Sequence, residues 1–394
     1  MDGSICVIGS GTIGSMVLWR LSQLTAGVVG FEALEPGSDS TGVGGDTRMF
    51  RMAYREGTQY QQLLNDSEVL WNELNELTDA HVLDQRHGAL TISRQESGFT
   101  QDLLNNAHTA GAAHELLSLE DLKKRFPQHH PLVGDVGLFD PRGGVLRTDL
   151  AVLTAKRQAE RSGVTVISNT AIERVVPRKG YVEVHSGEQS WSFEKVVIAG
   201  GAWSKDLLPN RYSDWLKIGR ILLTWYVAKH PGEFAGKQFP PFMRDSGGLH
   251  MWGAPSIDGS TVKIGGIIPP QEVRHMTVMD RSLSQQEIRS SNEVVSEFLP
   301  GLIPSCVRSK AYPDLYTADG HPMIGWLPDM PGVFLATGFS GKGFKMASGV
   351  GEAVAQSVVG MNTSDHIDFA NPRRFFEDQA VGTGWGRLTT LDSL

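Results

Sequence analysis

The first residues with a chemical pattern are Gly9-Ser10-Gly11-Thr12-Ile13-Gly14, a GxGxxG turn. An apolar, β-rich run from Ser4 to Ile8 precedes it, and a second apolar run, Val28 to Phe31, ends at Glu32. In a strand–turn–helix unit, Gly9 permits the tight turn and Gly11 lets the backbone approach a pyrophosphate. Gly14 lets the helix pack close to the strand. Thr12 and Ile13 open that helix, whose unpaired N–H groups favour phosphate. Glu32 is placed to accept hydrogen bonds from ribose hydroxyls, and its charge disfavours a 2′-phosphate. A dinucleotide site is the expectation; a turn that merely packs a helix on a sheet is the plainer alternative.

The cations form a second pattern. Arg48 and Arg51 lie among Met49, Phe50 and Met52, which points to partial burial. If the segment is helical, arginines at this spacing share a face. Lys263 sits in the apolar strand pattern Thr261-Val262-Lys263-Ile264-Gly265. A lysine there is costly unless it snorkels outward or has a task.

Elements must hold these groups in place. The helical pattern after Gly14 runs to about Gly27. A third strand, ending Val196-Val197-Ile198-Ala199-Gly200-Gly201-Ala202-Trp203, reads as part of the same sheet. Near the C-terminus, Val333 to Thr337 feeds a glycine loop, Gly338-Phe339-Ser340-Gly341-Lys342-Gly343-Phe344-Lys345, and then a helix of small residues. That helix start can point its dipole at an electron-rich group. Such a distant return to the fold suits FAD, whose reduced pyrimidine end is anionic, better than NAD. Alternating strands in 216–304, such as Leu222 to Ala228 and Thr261 to Ile268, predict an antiparallel sheet roofing the cofactor. Residues 81–144 add a charged helix with Ser118 as its N-cap. The expected fold class is α/β (α+β): a Rossmann-like FAD-binding domain (1–80, 145–215, 305–375) with an inserted antiparallel-sheet substrate domain (81–144, 216–304). A polar tail (376–394) follows.

The chain resembles the amine-oxidising flavoproteins that include monomeric sarcosine oxidase and N-methyltryptophan oxidase, within the D-amino-acid-oxidase-like class. The resemblance runs from the first strand to about residue 370. It is carried by GSGTIGS (9–15), GGDTRMFRMAYREG (44–57), VIAGGAW (197–203), VKIGG (262–266), YTADGHPMIG (316–325) and GFSGKGFK (338–345). The first motif is generic; the DTRxxR segment and the GFSGxGFK loop are specific to the family. The resemblance implies that Arg48 lies beside the flavin and that Arg51 and Lys345 clamp a substrate carboxylate, where a guanidinium binds in bidentate fashion. It implies that Lys263 faces the flavin and activates oxygen, a preorganised cation stabilising superoxide charge. Met243, Trp252 and Tyr316 are the implied substrate-lining residues. The implied cofactor-binding set adds Thr47, Ile172, Gly200, Trp203, Gly338, Gly341, Lys342, Gly343 and Lys345 to the dinucleotide residues.

The chain departs from the family pattern at four points. The family's flavin-tethering cysteine, two residues before a Tyr-Thr pair, is Asp314 here, and neither Cys6 nor Cys306 is an obvious substitute. Non-covalent FAD is therefore expected. A family histidine four residues past the lysine is Ile267, an expected tyrosine is Trp252, and a flavin-loop histidine is Lys342. These changes imply a bulkier, more apolar wall and a larger N-substituted amino acid than sarcosine.

The implied reaction is FAD-dependent oxidation of a secondary amine to an imine, with oxygen reduced to hydrogen peroxide. A same-fold dehydrogenase with another acceptor and a catalytically silent flavin-binding protein are the alternatives. Composition bounds the rest. With 394 residues, 40% hydrophobic, the chain suits one large or two intimate domains. A formal charge of −8 makes it a poor nucleic-acid binder. Two cysteines and no basic N-terminal region fit a reducing, cytoplasmic setting, and no run is long enough to span a bilayer. No metal site is expected: His129 and His130 are adjacent and so point apart. His321 reads as a hydrogen-bonding loop residue. No GxSxG elbow supports a hydrolase.

Overall fold

The structure is a computed structural model that describes residues 1–255, 259–361 and 366–377. The strand Gly3–Ile8 is flanked by Val28–Phe31 and Gln189–Ile198, both parallel to it. Thr165–Ile167 and Val333–Thr337 extend the parallel order outward. The short apolar run reads as it does because both of its faces are covered. Ile5 and Val7 join the helical core, whereas Cys6 and Ile8 join the core on the opposite face. The helix Thr12–Leu24 packs against Ala347–Val359 and Thr148–Arg161. Small residues let the first two approach closely: a Cβ on Gly351 would lie 2.5 Å from that of Met16.

A second, nine-stranded and mostly antiparallel sheet carries Leu216–Val227, Phe242–Ser246, Leu249–Pro255 and Thr261–Gly265. Ala89–Arg94 joins it by pairing parallel to Phe242–Ser246, which brings the two inserted regions into one sheet. The helix Gln285–Phe298 covers one face through Val295 and Phe298. This is the mixed α/β architecture expected from the sequence. Ser118 caps the helix Leu119–Arg125, with Asp121 closing a capping box.

Two local expectations are corrected, and the helix after the glycine loop is found where it was expected. Thr47–Phe50 is a strand, paired with Gly144–Arg147, and not a helix. Phe50 and the neighbouring Met52 are buried outright, and the β-pairing satisfies the backbone that a helix would otherwise have to satisfy. Arg308–Thr317, expected with the FAD-binding portion from 305 onward, pairs along its length with Leu216–Val227 in the antiparallel sheet. The C-terminal helix proper starts at Ala347, after a 3₁₀ turn over Phe344–Met346. The expected tail from 378 onward lies outside the described residues. Among the described residues, no helix is long and apolar enough to cross a membrane.

Candidate active site

A cavity of about 770 Å³ opens between the two sheets. At one end it is bounded by Gly9, Gly11, Thr12, Ile13, Glu32, Ile172, Gly200 and Trp203. Gly9 turns with φ 91°, and a Cβ on Gly14 would lie 1.6 Å from the Gly9 carbonyl oxygen. Gly14 therefore packs the helix and does not line the cavity. A Cβ on Gly11 would meet nothing nearer than 3.8 Å, so that position faces open space. The helix behind it has no side-chain cap and no acidic residue in its first turn. Its N–H groups are left for an anion.

Glu32, 7% exposed, accepts from the backbone N–H groups of Ser10 (2.9 Å) and Leu34 (3.1 Å). A carboxylate has about four acceptor positions. Two are engaged by backbone, and the group lines the cavity. The half-engaged carboxylate, the open glycine and the uncapped helix fit the ribose and pyrophosphate of a dinucleotide.

The far end is built from side chains. Arg51 is 3% exposed, and its Nη2 pairs with Glu56 Oε1 at 3.3 Å. Its Nη1 is buried without a hydrogen-bond partner. Both Arg51 and Lys345 lie over the Tyr54 ring, at 5.2 and 5.1 Å from its centroid. Burial, then the neighbouring Arg51 charge, pulls the Lys345 ammonium down to about 7. Burial works to raise the Glu56 carboxyl, but Arg51, Lys345 and Lys342 together hold it below the usual range. An orphaned guanidinium nitrogen beside a depressed lysine is an arrangement that can take a further anion besides Glu56.

Lys263 is 2% exposed. Its Nζ donates to the carbonyl oxygens of Gly45 (2.8 Å) and Thr47. Burial, then Arg48, pulls its pKa well below the lysine value. Arg48 donates to the carbonyls of Thr47 (2.8 Å), Gly42 (2.9 Å) and Gly44 (2.9 Å) and so knits the same loop. Thr47 itself does not line the cavity: its carbonyl is engaged, and its hydroxyl is buried without a partner.

Trp252 and Met243 line the cavity. The indole occupies the space beside Gly265, where a Cβ would meet it at 2.5 Å, which explains the glycine after the lysine strand. Ile267 does not line the cavity but packs against the core of the antiparallel sheet, so the apolar change expected there is not part of the wall, which its neighbour Ile268 does line. Lys342 lines the wall, its Nζ bonded to Gly320 O at 2.6 Å, and burial pulls its ammonium below the usual lysine range.

Gly338, Gly341, Gly343 and Tyr316 also line the cavity. Asp314 faces it too, and burial raises its carboxyl to about 6. Burial, then the Asp314 charge, lifts the Tyr316 phenol well above its usual value. His321 bonds Tyr60 Oη at 2.7 Å and stands outside the cavity. His129 is buried against Phe239 and Phe242, and burial pushes it down to about 3. Glu56, Tyr54 and Asp46 were not singled out from the sequence, although all lie inside the 44–57 motif.

A parallel α/β sheet with a phosphate-ready first turn, joined to an antiparallel roof over a cationic pocket, defines a two-layer flavin-dependent oxidoreductase. The family model described as FAD dependent oxidoreductase, DAO, matches residues 4–357, and the chain belongs to that family. It is 28% identical over 380 residues to a monomeric sarcosine oxidase of Streptomyces avermitilis, covering 94% of this chain and 97% of that one. It is 28% identical over 364 residues to an N-methyl-L-tryptophan oxidase of Yersinia pestis, covering 90% and 94%. Among solved structures, a variant of NikD, an unusual amino acid oxidase essential for nikkomycin biosynthesis, superposes with a TM-score of 0.84 at 17% identity. That match covers 94% of this chain and 97% of NikD.

Proposed function

We propose that this chain is an FAD-dependent oxidase of a carboxylate-bearing secondary amine, an N-substituted amino acid. The observation that carries this is the pair Arg51 and Lys345. Buried Arg51 and half-buried Lys345 lie over one tyrosine ring, and Arg51 Nη1 lacks any partner. A substrate carboxylate supplies that partner and displaces the imperfect pairing with Glu56. The oxidase names among the relatives support the same reading.

Bound FAD supplies the two-electron acceptor. Arg51 and Lys345 fix the carboxylate and thereby the C–H bond to be broken, a positioning effect. The substrate nitrogen reacts neutral, since a protonated amine has no lone pair to push. The C–H and N–H bonds are lost, an imine forms, and water converts it to an amine and a carbonyl compound. The two electrons and two protons pass to O₂, giving hydrogen peroxide. Lys263 Nζ, held by two carbonyls at the cavity wall, is placed to stabilise negative charge that develops beside it.

The flavin is held without a covalent bond in this reading. Supporting that, Asp314 stands at the attachment position, Cys6 is buried inside the first strand, and Cys306 does not line the cavity. Trp252, Met243 and Ile268 favour a substrate bulkier than sarcosine.

The test is anaerobic bleaching of the flavin by a panel of N-methyl and cyclic amino acids, followed by peroxide yield in air. Bleaching by a bulky carboxylate-bearing amine, with one peroxide per turnover, is expected. No bleaching by any such amine would sink the clamp, and bleaching without peroxide would point to another electron acceptor.

A further inference from the structure

Lys263 stands opposite Trp225 across one pair of antiparallel strands, and Trp225 stands opposite Arg308 across the next. Directly opposed residues of antiparallel strands share a sheet face, so these side chains form a row. The turn Gly45-Asp46-Thr47 lies over the row and is gripped from both sides. Lys263 Nζ takes the carbonyls of Gly45 and Thr47. Trp225 Nε1 donates to Asp46 Oδ2 at 3.1 Å, and Arg308 Nη2 pairs with the same oxygen. The Arg308 guanidinium stacks 3.7 Å from the Trp225 ring centroid.

The carbonyls of Gly45 and Thr47, with one residue between them, can face a single amine because that residue, Asp46, adopts a left-handed backbone, φ 63°. That conformation is strained for a residue with a Cβ and free for glycine. Asp46 does not line the cavity. An aspartate in a glycine conformation, away from the ligand, needs a task for its carboxylate, and Trp225 and Arg308 supply one.

We propose that Asp46 is a positioning residue for the oxygen-dependent half of the reaction. Its carboxylate, tied to Trp225 and Arg308, holds the turn so that the Gly45 and Thr47 carbonyls fix the Lys263 amine at the cavity wall. The inference rests on the role given to Lys263 above. The Trp225 tie is the stronger one, because Trp225 is 1% exposed while the Arg308 side chain is 52% exposed and its ion pair is screened by water.

The test compares Asp46→Gly, which keeps the backbone shape and removes the carboxylate, with Asp46→Asn, which keeps an acceptor for Trp225. Flavin reduction by substrate and reoxidation by O₂ are timed separately in the holoenzyme. The rate of Lys263 modification by an amine-reactive reagent is read by peptide mass spectrometry in the full chain, with and without FAD. In Asp46→Gly, reoxidation slows about tenfold or more while reduction stays within about twofold, and Lys263 labels faster. Asp46→Asn recovers most of both effects. Reoxidation unchanged in Asp46→Gly, or both half-reactions slowed equally, would overturn the proposal. An unchanged reoxidation rate in Lys263→Met would remove the lysine's role, and with it the oxygen part of this inference. Unchanged labelling in Asp46→Gly would overturn the cradle itself.

Discussion

At one end of the cavity the chain meets its ligand with backbone: the Gly9 turn, the open Gly11 and helix N–H groups, with Glu32 pinned by the N–H groups of Ser10 and Leu34. At the other end it offers chiefly side chains, Arg51, Lys345, Lys263 and Trp252. The anion- and ribose-facing part of the backbone end comes from residues 9 to 34, close in sequence, so its geometry is set largely when strand, turn and helix form. The side-chain end is assembled from strands and loops far apart in the chain, and its groups are held by partners that also sit far apart. A backbone site tolerates little change in shape and has few titrating groups. A side-chain site can be retuned one residue at a time and responds to pH.

The largest expected effect lies at the side-chain end. Arg51→Met removes the buried guanidinium from the carboxylate and leaves Glu56 facing Lys345. Loss of two charge-assisted hydrogen bonds should lower kcat/KM by roughly 10²–10³-fold, measured by steady-state kinetics, with FAD content unchanged. If FAD is lost as well, the two ends are not separable and the contrast fails. Lys263→Met comes next. Reoxidation by O₂ should slow by about 10²-fold while anaerobic reduction changes little, read by stopped-flow absorbance. Equal slowing of both steps would mean that the lysine only shapes the pocket.

Glu32→Ala tests the backbone end. It leaves the N–H groups of Ser10 and Leu34 without their carboxylate and removes the acceptor for ribose. The FAD dissociation constant should rise about 10–100-fold, measured by flavin fluorescence, while kcat at saturating FAD stays near that of the parent. A fall in kcat at full flavin occupancy would show that the ends are coupled.

The same contrast explains what the sequence could reveal. GxGxxG with Glu32 is a local pattern, and each of its parts is where spacing put it. Arg51, Lys345 and Lys263 were identified through the family resemblance, and all line the cavity; Arg48 and Arg51 would share a face only in a helix, and Thr47–Phe50 is a strand. Ile267 was misplaced because the Gly266 turn ends the alternation of the lysine strand, and Gly266 adopts φ 82°. Asp46 carried no signal of its own. Its meaning depends on a left-handed backbone and on two cross-strand neighbours, Trp225 and Arg308, that no local pattern relates to it. Glu56 was equally silent, since a single acid in a charged segment does not say which cation it meets.

The smallest effect is also the sharpest on the side-chain end. Lys345 titrates at about 7 because burial and Arg51 oppose its charge, and a bound carboxylate needs that charge. The protonated form is present below about 7 and is lost as pH rises through it. An amine-free carboxylate inhibitor avoids any titration of the substrate itself. Its inhibition constant should therefore rise above pH 7, by at most about tenfold per pH unit, and level off where Arg51 alone holds the anion. Asp314 adds a limb of the same sign at about 6, because its carboxylate appears as pH rises and repels the inhibitor. Glu56 is held below the usual carboxylate range and adds no limb here, while burial also lowers the Lys342 ammonium, so Lys342→Met is the control that separates its titration from that of Lys345. Lys345→Met should erase the upper limb and spare the lower, and Asp314→Asn should do the reverse. A profile that is flat in the parent enzyme would remove Lys345 from the clamp and leave the anion to Arg51.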